Sequence, residues 1–387
     1  MQKRNVLFLS SWYPNRIKPT HGNFVFQHAF ASAKFNHVHL IYVCLDESLK
    51  HGQELVYSSE PFPTSIIYLS KSRIPILGSI WNYLRILLCY LRYLKKLKKD
   101  GFHPDIVHAN VVYPIGFVAW LVKKIHRIPY VITEHWTVYH HSAQAKLGFW
   151  QRKMTIFSAN RAASILPVSE NLAKAMRSFG INSEMKVVYN AIDTDVFVPK
   201  EKIINEGIQL VHVSSLDPIQ KNPLLLLEAF QQMLLTHPKA KLNIISDGDY
   251  HFFQPEIQRL GISGNVIFHG IKDAKGIAQL LQQANLFVLT SRFENLPCVL
   301  IEARSCGVPV VSTNVGGIDE IIQANDGVLV PSEDLGALVT AINQQIERLS
   351  SYQSDDMHKR ASELFSYNAI GKEFTQIYES ILTEHAS

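Results

Sequence analysis

The sequence predicts an α/β protein built as two parallel-sheet domains facing a cleft, and three observations carry that expectation. Short Val/Ile/Leu runs alternate with helical patterns along the whole chain, as in βαβ units that cover a parallel sheet. The 387 residues exceed what one hydrophobic core usually organises, so two domains of about 150–200 residues are expected. The charge also changes sign. Residues 1–199 carry 24 Lys and Arg against 11 Asp and Glu, whereas residues 200–387 carry 14 against 22. Such a step marks a domain boundary and a polarised surface.

The elements follow in order. Residues 6–10 and 38–44 are apolar runs too short for helices and read as strands, separated by a helix over about 23–34. Further strands are expected at 66–69, 105–108, 130–133 and 164–168. Asn190, Ala191, Ile192 and Asp193 form a turn, and the polar stretch over 198–202 reads as an exposed linker. The alternation then restarts, with strands at 209–214, 241–246, 266–268, 286–289, 308–312 and 328–330 and a helix over 223–236. The expected division is an N-terminal domain over 1–197, a linker over 198–206, a C-terminal domain over 207–365 and a final helical segment over 366–387.

Composition excludes several classes. Cys44, Cys89, Cys298 and Cys306 sit at no metal-ligand or redox spacing and read as reduced thiols of a cytoplasmic chain. Cys298 and Cys306 share one expected helix, which argues against a disulfide between them. Residues 6–9 are too short an apolar run for an export signal, and Trp12, Pro14 and Arg16 follow at once. No stretch reaches the ~18 apolar residues of a membrane span; residues 106–122 are interrupted by His108, Asn110, Pro114 and Gly116. The basic first half favours anionic partners, either acidic lipid headgroups or phosphorylated carriers. No nucleic-acid motif accompanies the charge.

One helix is set apart. Over residues 81–99, with Ile80 just before, Ile80, Leu84, Leu87, Leu91 and Leu94 are expected on one stripe and Arg85, Arg92, Lys96 and Lys99 on another. A basic amphipathic helix flanked by Trp and Tyr suits the surface of an anionic membrane, as a peripheral attachment at the inner face. A core-facing helix with a solvated basic face is the alternative.

The most informative stretch is 286–322: strand, polar loop with Glu294, helix with Glu302, a Gly-Val-Pro turn, a second strand and a Gly-Gly loop. Ligands of open α/β sheets bind at the carboxyl ends of strands, where this loop lies. Pro297 suits the first helical position, where its missing N–H costs nothing, and the helix start would welcome a phosphate. The segment resembles the Glu-x7-Glu signature of retaining glycosyltransferases of family 4 (glycosyl transferases group 1), which have the GT-B fold of two Rossmann-like domains. The resemblance implies that Glu302 accepts hydrogen bonds from the donor ribose and that Glu294 acts at the donor sugar. It also implies that the backbone around Leu296, Pro297, Cys298 and Val299 holds phosphate.

Other segments match the same family. Residues 213–223 resemble its Gly-Arg-Leu-x3-Lys-Gly segment, whose two cations neutralise the donor diphosphate. Lys221 matches the lysine, whereas Ser215 stands where the arginine would be, a departure that Arg292 would have to compensate. Gly270-Ile271-Lys272 matches the loop that meets the base, so Ile271 and Lys272 are donor-site candidates. Gly22, before the first helix, resembles the N-terminal glycine loop, and His135, at a strand end, matches a histidine that contacts the donor sugar. Val168-Ser169-Glu170 and Asn190-Ala191-Ile192-Asp193 match segments read as architectural. The resemblance further implies that the final helix packs on the N-terminal domain and that the donor sits in the C-terminal one. Asp193-Thr194-Asp195 and Asp247-Gly248-Asp249 could hold a divalent ion, but the second resembles the Gly-Asp-Gly turn of family 4, and no metal is expected.

These readings converge on a retaining, metal-independent glycosyltransferase, of hexosyl type, with a nucleoside-diphosphate-sugar as co-substrate and no further cofactor. Its acceptor would be a surface polysaccharide or lipid-linked glycan, and no nucleic acid is expected as a partner. A nucleotide-sugar epimerase of the same architecture and a non-catalytic glycan-binding protein remain open, the second because of Ser215.

Overall fold

A computed structural model describes residues 2–72, 78–140, 147–201 and 207–386. The chain divides into two compact units, one comprising Met1–Ala191 with Tyr367–Ser387, the other Ile192–Ser366. Of the expected linker, residues 202–206 lie outside the described residues.

The first unit is built on β1 (Asn5–Ser10), β2 (His37–Asp46), β3 (Gln53–Ser58), β4 (Thr64–Ser70), β5 (Ile106–Asn110), β6 (Tyr130–Glu134) and β7 (Ser164–Pro167). Their order across the sheet is β3-β4-β2-β1-β5-β6-β7, parallel except for the β3–β4 pair. β3 was not expected from the sequence. It is an exposed edge strand on which Leu55, Val56 and Tyr57 all stay in solvent, so its apolar residues carry no burial pattern. The helices are α1 (Asn23–Ala33), α2 (Gly78–Lys99), α3 (Val112–His126), α4 (Phe149–Ala159) and α5 (Glu170–Phe179). Ser169 caps α5, its hydroxyl accepting from the Leu172 amide at 3.0 Å. The chain's last helix, Tyr367–Ala386, packs on α1. At Gly371 the two come so close that a Cβ would stand 2.2 Å from the Ala31 carbonyl oxygen.

The stripe expected on α2 requires correction. Its buried face is Asn82, Cys89, Tyr90, Leu94 and Leu97, while Ile80 and Leu84 are exposed together with Trp81 and Leu88. The sequence pattern was ambiguous because this helix is apolar on two sides at its start. Tyr90 sets the orientation: its hydroxyl donates to the Ser10 carbonyl at 2.8 Å and accepts from the Val43 amide at 3.0 Å. Among the described residues no helix is long and apolar enough to cross a membrane.

The second unit carries β8 (Gln209–Val213), β9 (Lys241–Ile245), β10 (Val266–Gly270), β11 (Leu286–Leu289), β12 (Val310–Thr313) and β13 (Gly327–Val330). The sheet is parallel in the order β10-β9-β8-β11-β12-β13. Helices α6 (Pro223–Met233), α7 (Gln254–Arg259), α8 (Ala274–Gln283), α9 (Cys298–Ser305), α10 (Ile318–Ile321), α11 (Leu335–Glu347) and α12 (Ser354–Phe365) complete it. A core of Leu210, Leu242, Leu286, Val288 and Val311 meets Leu226, Phe230 and Ile342 from the helices. The order runs outward from β8 in one direction and from β11 in the other, so the strand order reverses between them, the place where ligands of such sheets bind.

Candidate active site

The loops after β8 and β11 carry the carboxylate and the ammonium singled out in the second unit. Lys221, just before α6, forms an ion pair with Glu294. Glu294 also accepts from the Ser291 hydroxyl at 2.7 Å and from the Gln220 side-chain amide at 3.3 Å. The two loops are stapled together: the Thr290 hydroxyl donates to the Lys221 carbonyl at 3.0 Å, and the Arg292 amide donates to the Gln220 carbonyl at 2.7 Å.

The base of the β8 loop is set by buried His212. Its Nδ1 lies 2.8 Å from the Val288 carbonyl, which only accepts, so Nδ1 carries the proton and Nε2 accepts from the Ser214 hydroxyl at 2.7 Å. Burial lowers the His212 pKa to about 4 and keeps the ring neutral. From the other side, the β12–α10 loop braces Glu294. Gly316 has φ +63, and a Cβ there would stand 2.0 Å from the Glu294 carbonyl oxygen. The Gly317 amide donates to the Asn295 carbonyl at 2.8 Å.

Pro297 corrects the sequence expectation by one position. It caps α9 with extended backbone (φ −72°, ψ 116°), and Cys298 is the first helical residue. Leu296 is buried, and Cys298 and Val299 are half-buried. Glu302 follows one turn later, half-buried, with no hydrogen-bond partner for its carboxyl among the described residues. Burial raises its pKa to about 7. Burial also raises the Cys298 pKa; Glu302 and Glu294 push it the same way and Lys221 opposes them, so all three charges act on this thiol.

Ser215 is exposed, and its carbonyl oxygen would stand 2.1 Å from a Cβ at Gly248, so the Asp247-Gly248-Asp249 turn packs directly on it. Arg292 is committed elsewhere: it donates to Glu333 at 2.7 Å and to the Pro218 carbonyl at 2.6 Å. Ile271 and Lys272 follow β10, the edge strand two positions from β8, and are exposed. Among the described residues no group of three or more His, Cys, Asp or Glu is placed to hold a metal ion.

In the first unit, Gly22 takes φ +73 at the start of α1, and a Cβ there would meet the Trp12 backbone at 2.6 Å. Two independent constraints therefore require glycine. His135 follows β6, buried, stacked on Phe24 at 4.2 Å between ring centroids and beside His28 at 5.1 Å. Burial holds its pKa well below the usual histidine range.

Two residues of this unit escaped the sequence reading. Glu134 accepts from the amides of Val112, His135 and Trp136 and from the Tyr139 hydroxyl, each at 2.8 Å, which fixes the backbone that carries His135. Asn110 ends β5, beside β1, where the strand order also reverses; it is fully buried, and neither side-chain amide atom has a partner among the described residues. An Asn at a strand end carries no sequence signal of either state.

Comparison with known proteins follows the division of the chain. Residues 24–196 match the model of Glycosyltransferase Family 4, and residues 193–363 match that of Glycosyl transferases group 1. The N-acetyl-alpha-D-glucosaminyl L-malate synthase of Bacillus anthracis is 28% identical over 72% of this chain and 76% of its own length. A putative teichuronic acid biosynthesis glycosyltransferase, TuaC of Bacillus subtilis, is 26% identical over 74% of each. Among solved structures, Anabaena HepE in complex with UDP superposes with a TM-score of 0.73 at 20% identity, over 97% of this chain and all of the other. The chain belongs to the family 4 glycosyltransferases and has their GT-B fold of two parallel-sheet units.

Proposed function

We propose that the protein is a retaining glycosyltransferase that moves a hexosyl group from a nucleoside-diphosphate-sugar to a hydroxyl of a surface polysaccharide or lipid-linked glycan. The observation that carries this reading is the switch point between β8 and β11, where the Lys221–Glu294 pair lies near Glu302, whose carboxyl has no hydrogen-bond partner among the described residues. A carboxyl without partners is matched by the two hydroxyls of a ribose, which one carboxylate can accept together. The bond between the anomeric carbon and the diphosphate oxygen breaks. A new bond forms from that carbon to the acceptor oxygen on the same face, and the acceptor hydroxyl's proton passes to the departing diphosphate oxygen. The diphosphate leaves with growing negative charge, which Lys221 and the α9 start offset. Glu294 is essential at the donor sugar, and Ser215 leaves the diphosphate with one cation fewer than its relatives supply.

On this reading no divalent ion takes part, and turnover should survive excess EDTA. UDP is the first donor nucleotide to test, because HepE was solved with it. Attachment to the inner face of the membrane is part of the proposal, supported by the exposed apolar and basic face of α2.

Thermal shift against UDP, GDP, ADP, CMP and dTDP tests the pocket. A ligand at 100-fold over its dissociation constant stabilises by about 2.7 kcal/mol. One nucleotide should stabilise wild type and not Glu302→Ala. Silence from all five would favour the non-catalytic glycan-binding reading, and sugar interconversion without acceptor would favour an epimerase.

A further inference from the structure

We propose that a recess at the carboxyl ends of β2 and β4, wholly within the first unit, binds an oxyanion carried by the acceptor glycan, a phosphate or a carboxylate. The proposal rests on the glycosyl-transfer reading and names the acceptor's chemistry. The recess has a volume of about 690 Å³, and its lining includes Lys50, His51, Lys71, Arg85, Glu47 and Trp81. Three permanent cations thus face one carboxylate. The strand ends that form it belong to the same sheet edge as the loops bearing Gly22 and His135, where ligands of parallel sheets bind.

Each cation is held differently. Arg85 donates to the Ser70 carbonyl at 2.5 Å and to the Ser70 hydroxyl at 3.2 Å, which anchors the guanidinium and leaves further N–H groups of its planar fork free. Lys71 pairs with Glu47 at 2.7 Å, but both side chains are more than half exposed, so the pair is weak and readily exchanged. Lys50 is exposed and has no partner among the described residues. The contrast with Arg16 is instructive. Arg16 is satisfied by Asp46 and Glu54, both at 2.7 Å, so these two carboxylates are already spent there. A structural cluster would be neutralised in the same way, whereas among the described residues the recess has one carboxylate for three cations. Trp81, half-exposed at the rim, offers an indole face to the apolar side of a sugar ring beside the anion.

The test uses the full chain labelled at its indole nitrogens, with the Trp81 signal assigned by Trp81→Phe. Glucose 6-phosphate, glucuronate and glucose are titrated separately. One or both anionic sugars should move the Trp81 resonance, and glucose should not. A response to the phosphate alone assigns a phosphorylated carrier, and a response to the carboxylate alone assigns an acidic sugar. The doubly charge-reversed Lys50→Glu, Lys71→Glu variant, altered only at exposed positions, should bind at least tenfold more weakly. The same variant should keep the nucleotide-induced thermal shift, which shows that it is folded. Silence of Trp81 to both anionic sugars, an equal response to glucose, or undiminished binding in the double variant would overturn the proposal. Absence of any nucleotide shift in wild type would instead overturn the donor reading on which it rests.

Discussion

Lys221 and Glu294 reach each other from the loops of two adjacent strands, and their side chains are only 15% and 7% exposed. Removing one partner of a buried pair leaves the other charge without compensation, which typically costs about 3–5 kcal/mol. Ser291 and Gln220 still serve Glu294, so Lys221→Ala should fall at the lower end of that range by urea denaturation. The Lys221→Ala, Glu294→Ala double variant should lose less than the sum of the single changes. On the proposed reading turnover should drop by at least ~10² in each single variant, because the charge that would oppose the leaving diphosphate, or the carboxylate that would act at the sugar, is gone. Near-normal turnover in both would remove the pair from the mechanism.

Glu302 should make nucleotide binding depend on pH. Its carboxyl is shifted up from 4.5 to about 7 by burial, and on the proposed reading the ionised form accepts from two ribose hydroxyls. Affinity should therefore rise between about pH 6 and pH 8. The effect on stability runs the other way. A carboxyl whose folded pKa lies above its unfolded value holds its proton in the folded state, so stability is lost as pH rises from 4.5 through 7. Glu302→Gln should flatten the binding profile and raise the thermal midpoint at pH 8. A midpoint at or below wild type there would mean that the carboxyl is not desolvated.

Gly316 is a positioning residue for Glu294. Alanine there would take a strained left-handed backbone and press its Cβ against the Glu294 carbonyl, 2.0 Å away. The loop must move, so Gly316→Ala should lower turnover by roughly tenfold or more. The change in turnover number should exceed any change in nucleotide affinity, because Glu302 lies on α9, away from this contact. An unaltered rate would mean that the loop yields without moving the carboxylate.

Much of this architecture was legible in the sequence, for physical reasons. Strands buried on both faces read as continuous apolar runs, and residues 6–10, 130–133 and 286–289 were placed within a residue or two of β1, β6 and β11. What failed were elements whose burial is not periodic. β3 lies on an exposed edge, and α2 offers two apolar faces of which only the one with Tyr90 is covered. In the site, charged residues at strand ends were visible by type and place. The groups that position them, Ser291, Gln220, Glu134 and His212, look like ordinary polar residues until the loops fold together.

Asn110 is expected to trade stability for activity. Two buried amide atoms without partners cost about 1–3 kcal/mol when left unsatisfied, whereas an apolar group of similar shape does not. Asn110→Leu should therefore leave the thermal midpoint unchanged or raise it. Because the residue ends β5 where the strand order reverses and ligands of such sheets bind, turnover should fall by roughly tenfold if the amide is kept for the site. A destabilised variant with normal turnover would show that the amide is satisfied within the fold.

The outward face of α2 should bind anionic vesicles. Trp81, Leu84 and Leu88, then Arg92, Lys95 and Lys99, recur at three- or four-residue spacing, so one stripe is apolar in its first half and basic in its second. An apolar end that enters the interface and a basic end that meets headgroups suit a membrane carrying negative charge. Wild type should cosediment with phosphatidylglycerol-containing vesicles, more weakly at high salt, and not with phosphatidylcholine alone. Each surface cation contributes about 1 kcal/mol, so Arg92→Ala with Lys95→Ala should weaken binding by about 30-fold. Leu84→Ser with Leu88→Ser should weaken it without changing its salt dependence, because those residues contribute burial rather than charge. Equal binding to both vesicle types, or indifference to all four substitutions, would leave α2 as a solvated helix and require the acceptor to reach the enzyme from solution.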